Sequence, residues 1–224
     1  MGIFSKSPET AQAAVTKAEQ TVAEWERKAS DARADAARLD GESGAAILED
    51  ESAAERITLN VQTLERKARA YDQAAAEARR KLLAVQKEAL EAEAREEHKE
   101  AAALRKKAEA HNAKVSALVG ELEKLDDCKW DRAQFTDSVT GSAYGRMVGL
   151  GERHGGEALR HETRAAVIGY FIATGKVPAD FYDINNVMGT TIPGFARSIH
   201  DEDNIPQSVL AARDAGLVFG GAQA

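Results

Sequence analysis

Apolar side chains recur along the first 125 residues at alternating steps of four and three. The first run is Ala11, Val15, Ala18, Val22, Trp25, Ala29, Ala32, Ala36 and Leu39. The second is Ile57, Val61, Leu64, Ala68, Tyr71, Ala75, Ala78, Leu82, Val85 and Ala89. The third is Leu104, Ala108, His111, Val115, Leu118, Leu122 and Leu125. This spacing lays one stripe of side chains along one side of a helix. The residues between are mostly Glu, Lys, Arg, Asp, Gln and Ala, good helix formers that face water. The pattern predicts an all-α chain, a long antiparallel helical hairpin or coiled coil followed by a small, mainly helical, Gly-rich C-terminal domain. Its expected parts are an apolar tip over residues 1–7, a rod over 8–127 and the C-terminal domain over 128–224. Within the rod the expectation is a first helix at about 8–39, a turn at 40–50 and a long helix at about 51–126.

The first two runs are similar in length, and Asp40-Gly41-Glu42-Ser43-Gly44 between them is a turn signal. Folding there sets Leu39 near Ile57, Ala11 near Val85 or Ala89, and Trp25 opposite the Tyr71 region. The hairpin is therefore expected to pack through Val15, Val22, Trp25, Leu39, Ile57, Val61, Leu64, Tyr71, Leu82 and Val85. Its stripes are rich in Ala, which lets helices approach closely but buries little area, so further partner helices are expected. The third run is out of phase with the second. Carried past Ala89, the second reaches Glu96; carried backwards, the third reaches Glu97. With no Pro or Gly in 91–100, one helix with a register shift is expected. Leu104, His111, Val115, Leu118, Leu122 and Leu125 form an expected oligomerisation stripe, in which His111 can set register or make association pH-sensitive.

Composition changes sharply past Cys128. Three aromatic residues and four glycines precede it, nine and thirteen follow it, and no Pro lies between Pro8 and Pro178. A domain boundary is expected near 126–130. Beyond it, Gly155-Gly156 is expected to precede a helix over 157–174, whose second half is apolar almost all round. Shorter helices are expected over Pro178–Met188, near 195–200 and from Pro206 to about Ala215. The core or docking residues of this part are Val167, Ile168, Tyr170, Phe171, Ile172, Phe181 and Tyr182.

Net charge is −7 over 224 residues, and residues 129–224 hold nine Lys/Arg against eleven Asp/Glu. Neither part offers a basic field, so no nucleic-acid partner is expected. The single cysteine, Cys128, excludes an internal disulfide and a cysteine metal cluster. No signal peptide is visible and no apolar run approaches the ~18 residues of a membrane span, which points to a cytoplasmic or virion setting. His154, Glu157, His161 and Glu162 cluster at one helix start, but their spacing matches no established zinc pattern. Asp180, Asp183 and Asp201–Asp203 lack the ligand spacing of a calcium loop. The glycines at 145, 149, 151, 155 and 156 are not followed by the Lys of a phosphate loop. No catalytic residue, cofactor or metal is therefore assigned.

The tip Met1-Gly2-Ile3-Phe4-Ser5-Lys6 has Lys where a myristoylation start carries Ser or Thr. It resembles the opening of phage-shock-type membrane-remodelling proteins, which continue into a helical hairpin. That resemblance implies a membrane-surface hairpin that polymerises and touches lipid only through residues 1–6. The remainder departs from the family: the first helix is shorter and a Gly-rich domain follows. The main expectation is a non-enzymatic structural or assembly protein. Its rod oligomerises or packs with protein partners, and its C-terminal domain docks onto a larger assembly of scaffold or virion kind, bacteriophage included. An enzyme with its site in residues 129–224 is the remaining alternative.

Overall fold

The computed structural model describes residues 7–50, 52–127, 150–189 and 204–219, and these are all-helical, with turns and short loops between helices. The helices are α1 (Pro8–Glu49), α2 (Ala53–Asp126), α3 (Leu150–Thr174), α4 (Phe181–Met188) and α5 (Gln207–Asp214). The expected helix near 195–200, the tip 1–6, Cys128 and most of the acidic run 201–204 lie outside the described residues. The chain divides into two compact units, Met1–Ala92 and Glu93–Ala224. The division falls inside α2, where the apolar frame changes phase, whereas the change of composition had pointed to 126–130.

In the first unit α1 pairs with the opening part of α2. Ser7 caps α1, its Oγ accepting from the Thr10 N–H at 3.3 Å, and Pro8 occupies the first turn. Every member of the first two runs is buried or half-buried. Val15, Val22, Ala29 and Ala32 close one side, Ala68, Ala75 and Ala78 the other. The Trp25 and Tyr71 rings meet with centroids 5.7 Å apart at 36°. Ion pairs Arg79–Glu26 and Arg33–Asp72 span the hairpin. Both are exposed, and pairs of that kind contribute about 0–1 kcal/mol each.

The turn is not where the glycines suggest. Gly41 and Gly44 sit inside α1, which runs ten residues beyond Leu39. A mid-helix Gly costs only about 1 kcal/mol, and local bonds offset it: the Ser43 hydroxyl donates to the Asp40 carbonyl at 2.6 Å, and Arg38 reaches Asp35 and Glu42. The fold-back comes at Asp50, whose backbone is extended (φ −150°, ψ 109°). Its carboxylate accepts from the Ser52 N–H at 3.0 Å and the Ser52 hydroxyl at 2.9 Å, an Asx-turn that opens α2. Across the pair Arg33 reaches Asp72, and Trp25 meets Tyr71 as the stripes predict.

In the second unit α3 carries the core. Val167, Ile168 and Phe171 are fully buried together with Ile184 of α4 and Val209 of α5. The Phe171 and Phe219 rings meet edge to face at 6.1 Å. Gly175 (φ +68°) ends α3, its N–H donating to the Phe171 carbonyl at 2.7 Å. At α4, Asp180 accepts from the Asp183 N–H and Asp183 accepts from the Ala179 N–H, a reciprocal cap. One expectation changes here. Helix α3 starts at Leu150 and runs through Gly155-Gly156 without a break. Tyr182, one of the expected core or docking residues, is exposed, because Phe181 and Ile184, three apart, take the inner face of α4 and leave Tyr182 outside it. Ile172 is half-buried.

The Asp50 carboxyl is held below its ordinary value of 3.8, first by the Ser52 hydroxyl and then by the Ser52 N–H. Its contribution is therefore complete above that value and lost as pH falls through the lowered one. Asp50→Ala is expected to lower the melting temperature at pH 6. Circular-dichroism melts of variant and parent should converge as pH is taken below 3.8.

Candidate functional site

Two surfaces stand out, one in each unit. In the first unit the small residues of the hairpin leave a trough of about 440 Å³ along the α1–α2 pair. Ala14, Ala18, Ala74 and Ala78 make its apolar lining, with Thr21 and Trp25, and Lys17, Lys81 and Glu77 stand around it. Its shape follows from the sequence: Ala at most stripe positions lets the backbones approach but fills no space beside the Trp25 indole. The outer face of that indole carries the Lys28 ammonium at 4.3 Å from the ring centroid, and Lys28 is bonded to Glu24 at 2.6 Å. That hydrogen bond, helped by the charge of Lys28, holds the Glu24 carboxyl below the usual carboxylate range. Leu48 is 90% and Leu59 65% exposed near the turn end of the hairpin. This unit thus leaves uncovered apolar surface at its turn and along its flank.

In the second unit α3 lies antiparallel on the part of α2 that carries the third run. Charged pairs join the two helices beside the buried Ala101 and Ala108 of α2. Glu97, only 8% exposed, is held by His161 Nδ1 at 2.5 Å and Arg164 Nε at 3.3 Å. The Arg164 Nε is close enough for an ion pair yet makes no hydrogen bond. Arg105 clasps Glu162 with both arms, Nε to Oε1 at 2.9 Å and Nη2 to Oε2 at 2.8 Å. The clasp raises the Arg105 guanidinium above its ordinary value, so the group stays charged at any working pH. Closer to the start of α3, Gly151 faces His111 and Asn112. A Cβ there would stand 2.2 Å from Asn112 Oδ1 and 3.3 Å from His111 Cδ2.

The His154/Glu157/His161/Glu162 cluster is dispersed by this docking. His161 and Glu162 turn to α2, while His154 Nδ1 is buried, 3.6 Å from Glu157 and without a hydrogen bond. Among the described residues no group of three His, Cys, Asp or Glu converges as metal ligands. Ala108 is buried and Leu104, His111, Val115 and Leu122 are half-buried, whereas Leu118 is 59% and Leu125 80% exposed. Glu97, Arg105 and Arg164 read as solvated helix positions in the sequence. The available signal for Glu97 was that the third run, carried backwards, lands on it.

No family model, curated protein or solved structure matches this chain. The functional reading therefore rests on its own residues. No helix among the described residues is long and apolar enough to cross a membrane.

Gly151 gives a direct check of the α2–α3 contact. Gly151→Ala is expected to be less favourable than Ala at Gly155 or Gly156, because the Asn112 amide must swing away from the added Cβ. At Gly155 and Gly156 an added Cβ meets nothing within 4 Å, so Ala there is expected to stabilise by up to about 1 kcal/mol. Thermal melts of the three variants side by side test this contrast.

Proposed function

We propose that this chain is a non-enzymatic structural protein whose paired helices form a coiled-coil rod that assembles with protein partners, first among them further copies of itself. The observation that carries the reading is the apolar surface left over on the hairpin. Two helices that bury mainly Ala against each other keep an open trough beside Trp25 and leave Leu48 and Leu59 bare. A third or fourth helix laid along such a pair gains burial at about 25 cal/mol per Å² with little side-chain rearrangement. Mixed charges along both helices suit a partner of the same mixed kind, not nucleic acid. The Gly-rich C-terminal part serves in this reading as the piece that docks onto a larger assembly. The setting is a cytoplasm or a virion of scaffold type, bacteriophage included.

The full chain has a mass of 24.1 kDa. Light scattering at micromolar concentration is expected to return a multiple of that mass. Leu48→Glu with Leu59→Glu is expected to shift the distribution towards the single chain without loss of helicity. A parent chain that remains single across the concentration range removes self-assembly through the hairpin.

A further inference from the structure

The third run, extended backwards to Ala94, carries most of its small residues in its first half and most of its large apolar ones in its second. Its first members are Ala94, Glu97, Ala101, Leu104 and Ala108, and its later ones are His111, Val115, Leu118, Leu122 and Leu125. Helix α3 touches the first part at Glu97, Arg105, His111 and Asn112. Beyond them Leu118 and Leu125 are bare, while Val115 and Leu122 are half-buried. Three leucines span less than two heptads, too little for a stable helix pair, which needs at least three to four. The whole frame from Ala94 to Leu125 runs for over four heptads. The bare end thus becomes a usable seam only if α3 lifts from the covered end.

We propose that α3 is a cover in cis over a self-pairing seam of α2, and that its occupant in trans is the same seam of a second copy, laid antiparallel. The size pattern selects that partner and that direction. Antiparallel pairing brings Ala94 against Leu125, Ala101 against Leu118 and Ala108 against His111, so that large meets small at three of the five layers, the other two setting Leu104 against Val115 and Glu97 against Leu122. It is also the two-fold, self-complementary arrangement usual for homodimers. Parallel pairing stacks Leu on Leu and Ala on Ala, and faces two Glu97 carboxylates across one layer.

The latch is polar. In cis, Glu97 has His161 and Arg164, and Arg105 has Glu162. In trans, Glu97 gives up both cations and meets Leu122, which favours the covered state. Covalent connection adds to this, since a tethered helix competes at an effective concentration of about millimolar. Breaking the latch removes the first advantage and leaves the seam intact. The inference builds on the assembly reading but concerns the second unit alone, so a chain whose hairpin does not self-associate can still pass the test below.

The test uses the full chain with Cys128→Ser, Ala101→Cys and Leu118→Cys, oxidised and read on a non-reducing gel. On one helix the two cysteines are about 25 Å apart at 1.5 Å per residue, too far to join. Between antiparallel copies they face each other. Adding Glu162→Arg is expected to raise the cross-linked dimer by about 5–150-fold, the span of ordinary coupling between two sites. The exchange Arg105→Glu with Glu162→Arg restores the pair with reversed sign and returns the yield to the parent level. Leu118→Cys without Ala101→Cys reports parallel pairing and is expected to give no dimer. Hydrogen exchange over 97–112 shows whether α3 has lifted, and Glu97→Lys is a second way to lift it. Equal cross-linking with and without the latch overturns the proposal. So does a lifted α3 without cross-linking, failure of both latch variants to raise exchange, or a dimer from Leu118→Cys alone. Dimer that tracks exchange and is reversed by the charge swap supports it.

Discussion

A helix can present only the stripe that its sequence writes, and along α2 that stripe changes phase once. The second run ends at Ala89. The third, carried backwards, passes through Glu97 and Ala94 to Leu90, one position out of step. No residue in between breaks the helix, so the backbone continues while the set of inward-facing positions changes. The two compact units meet at Ala92 and Glu93, within three residues of that slip. Each unit packs on its own stripe: α1 on the second run, α3 on the third.

The two stripes use different chemistry. Between α1 and α2 the contact is made of Ala, with one aromatic pair, Trp25 and Tyr71, at its middle. Such a contact depends on close backbone approach and on few strong terms, and it leaves a trough where side chains are short. Between α2 and α3 a buried carboxylate and a bidentate arginine hold the helices. Buried ionic contacts are costly to break by removing one partner and add little net stability compared with apolar ones. They suit a contact that must have one register, and one that can be exchanged for another. The apolar core of α3, α4 and α5 around Phe171 and Ile184 lies apart from those charges on the same helix. A helix that is apolar on one part and salt-bridged on another can keep its own small core while its other contact changes.

Most of the stripes were legible because a four-three spacing has only one simple geometric meaning. Every member of the first two runs turned inward. The turn was misplaced because Gly marks where a helix can end, not where it must. At Gly41 and Gly44 the penalty was small, and a stronger signal lay at Asp50, whose carboxylate and Ser52 build the reversal. The same error in the same direction occurred at Gly155-Gly156, which α3 runs through. Hydrophobicity alone leaves Tyr182 either core or docking; the spacing of Phe181 and Ile184 puts it outside the core.

By itself the sequence determined that the chain is helical, where its stripes run, and that α2 changes frame near residue 90, because these follow from local periodicity and from the absence of helix breakers. It determined nothing about which segment would cover the third stripe. Only the tertiary structure decided that α3 does so over Glu97 to Asn112 and leaves Leu118 and Leu125 bare. The physical reason is that a heptad stripe specifies a helical partner and not its identity. Long-range charge pairs, Glu97 with His161 and Arg164 and Arg105 with Glu162, join α3 to that stripe, and their members lie too far apart in sequence for any local pattern to show.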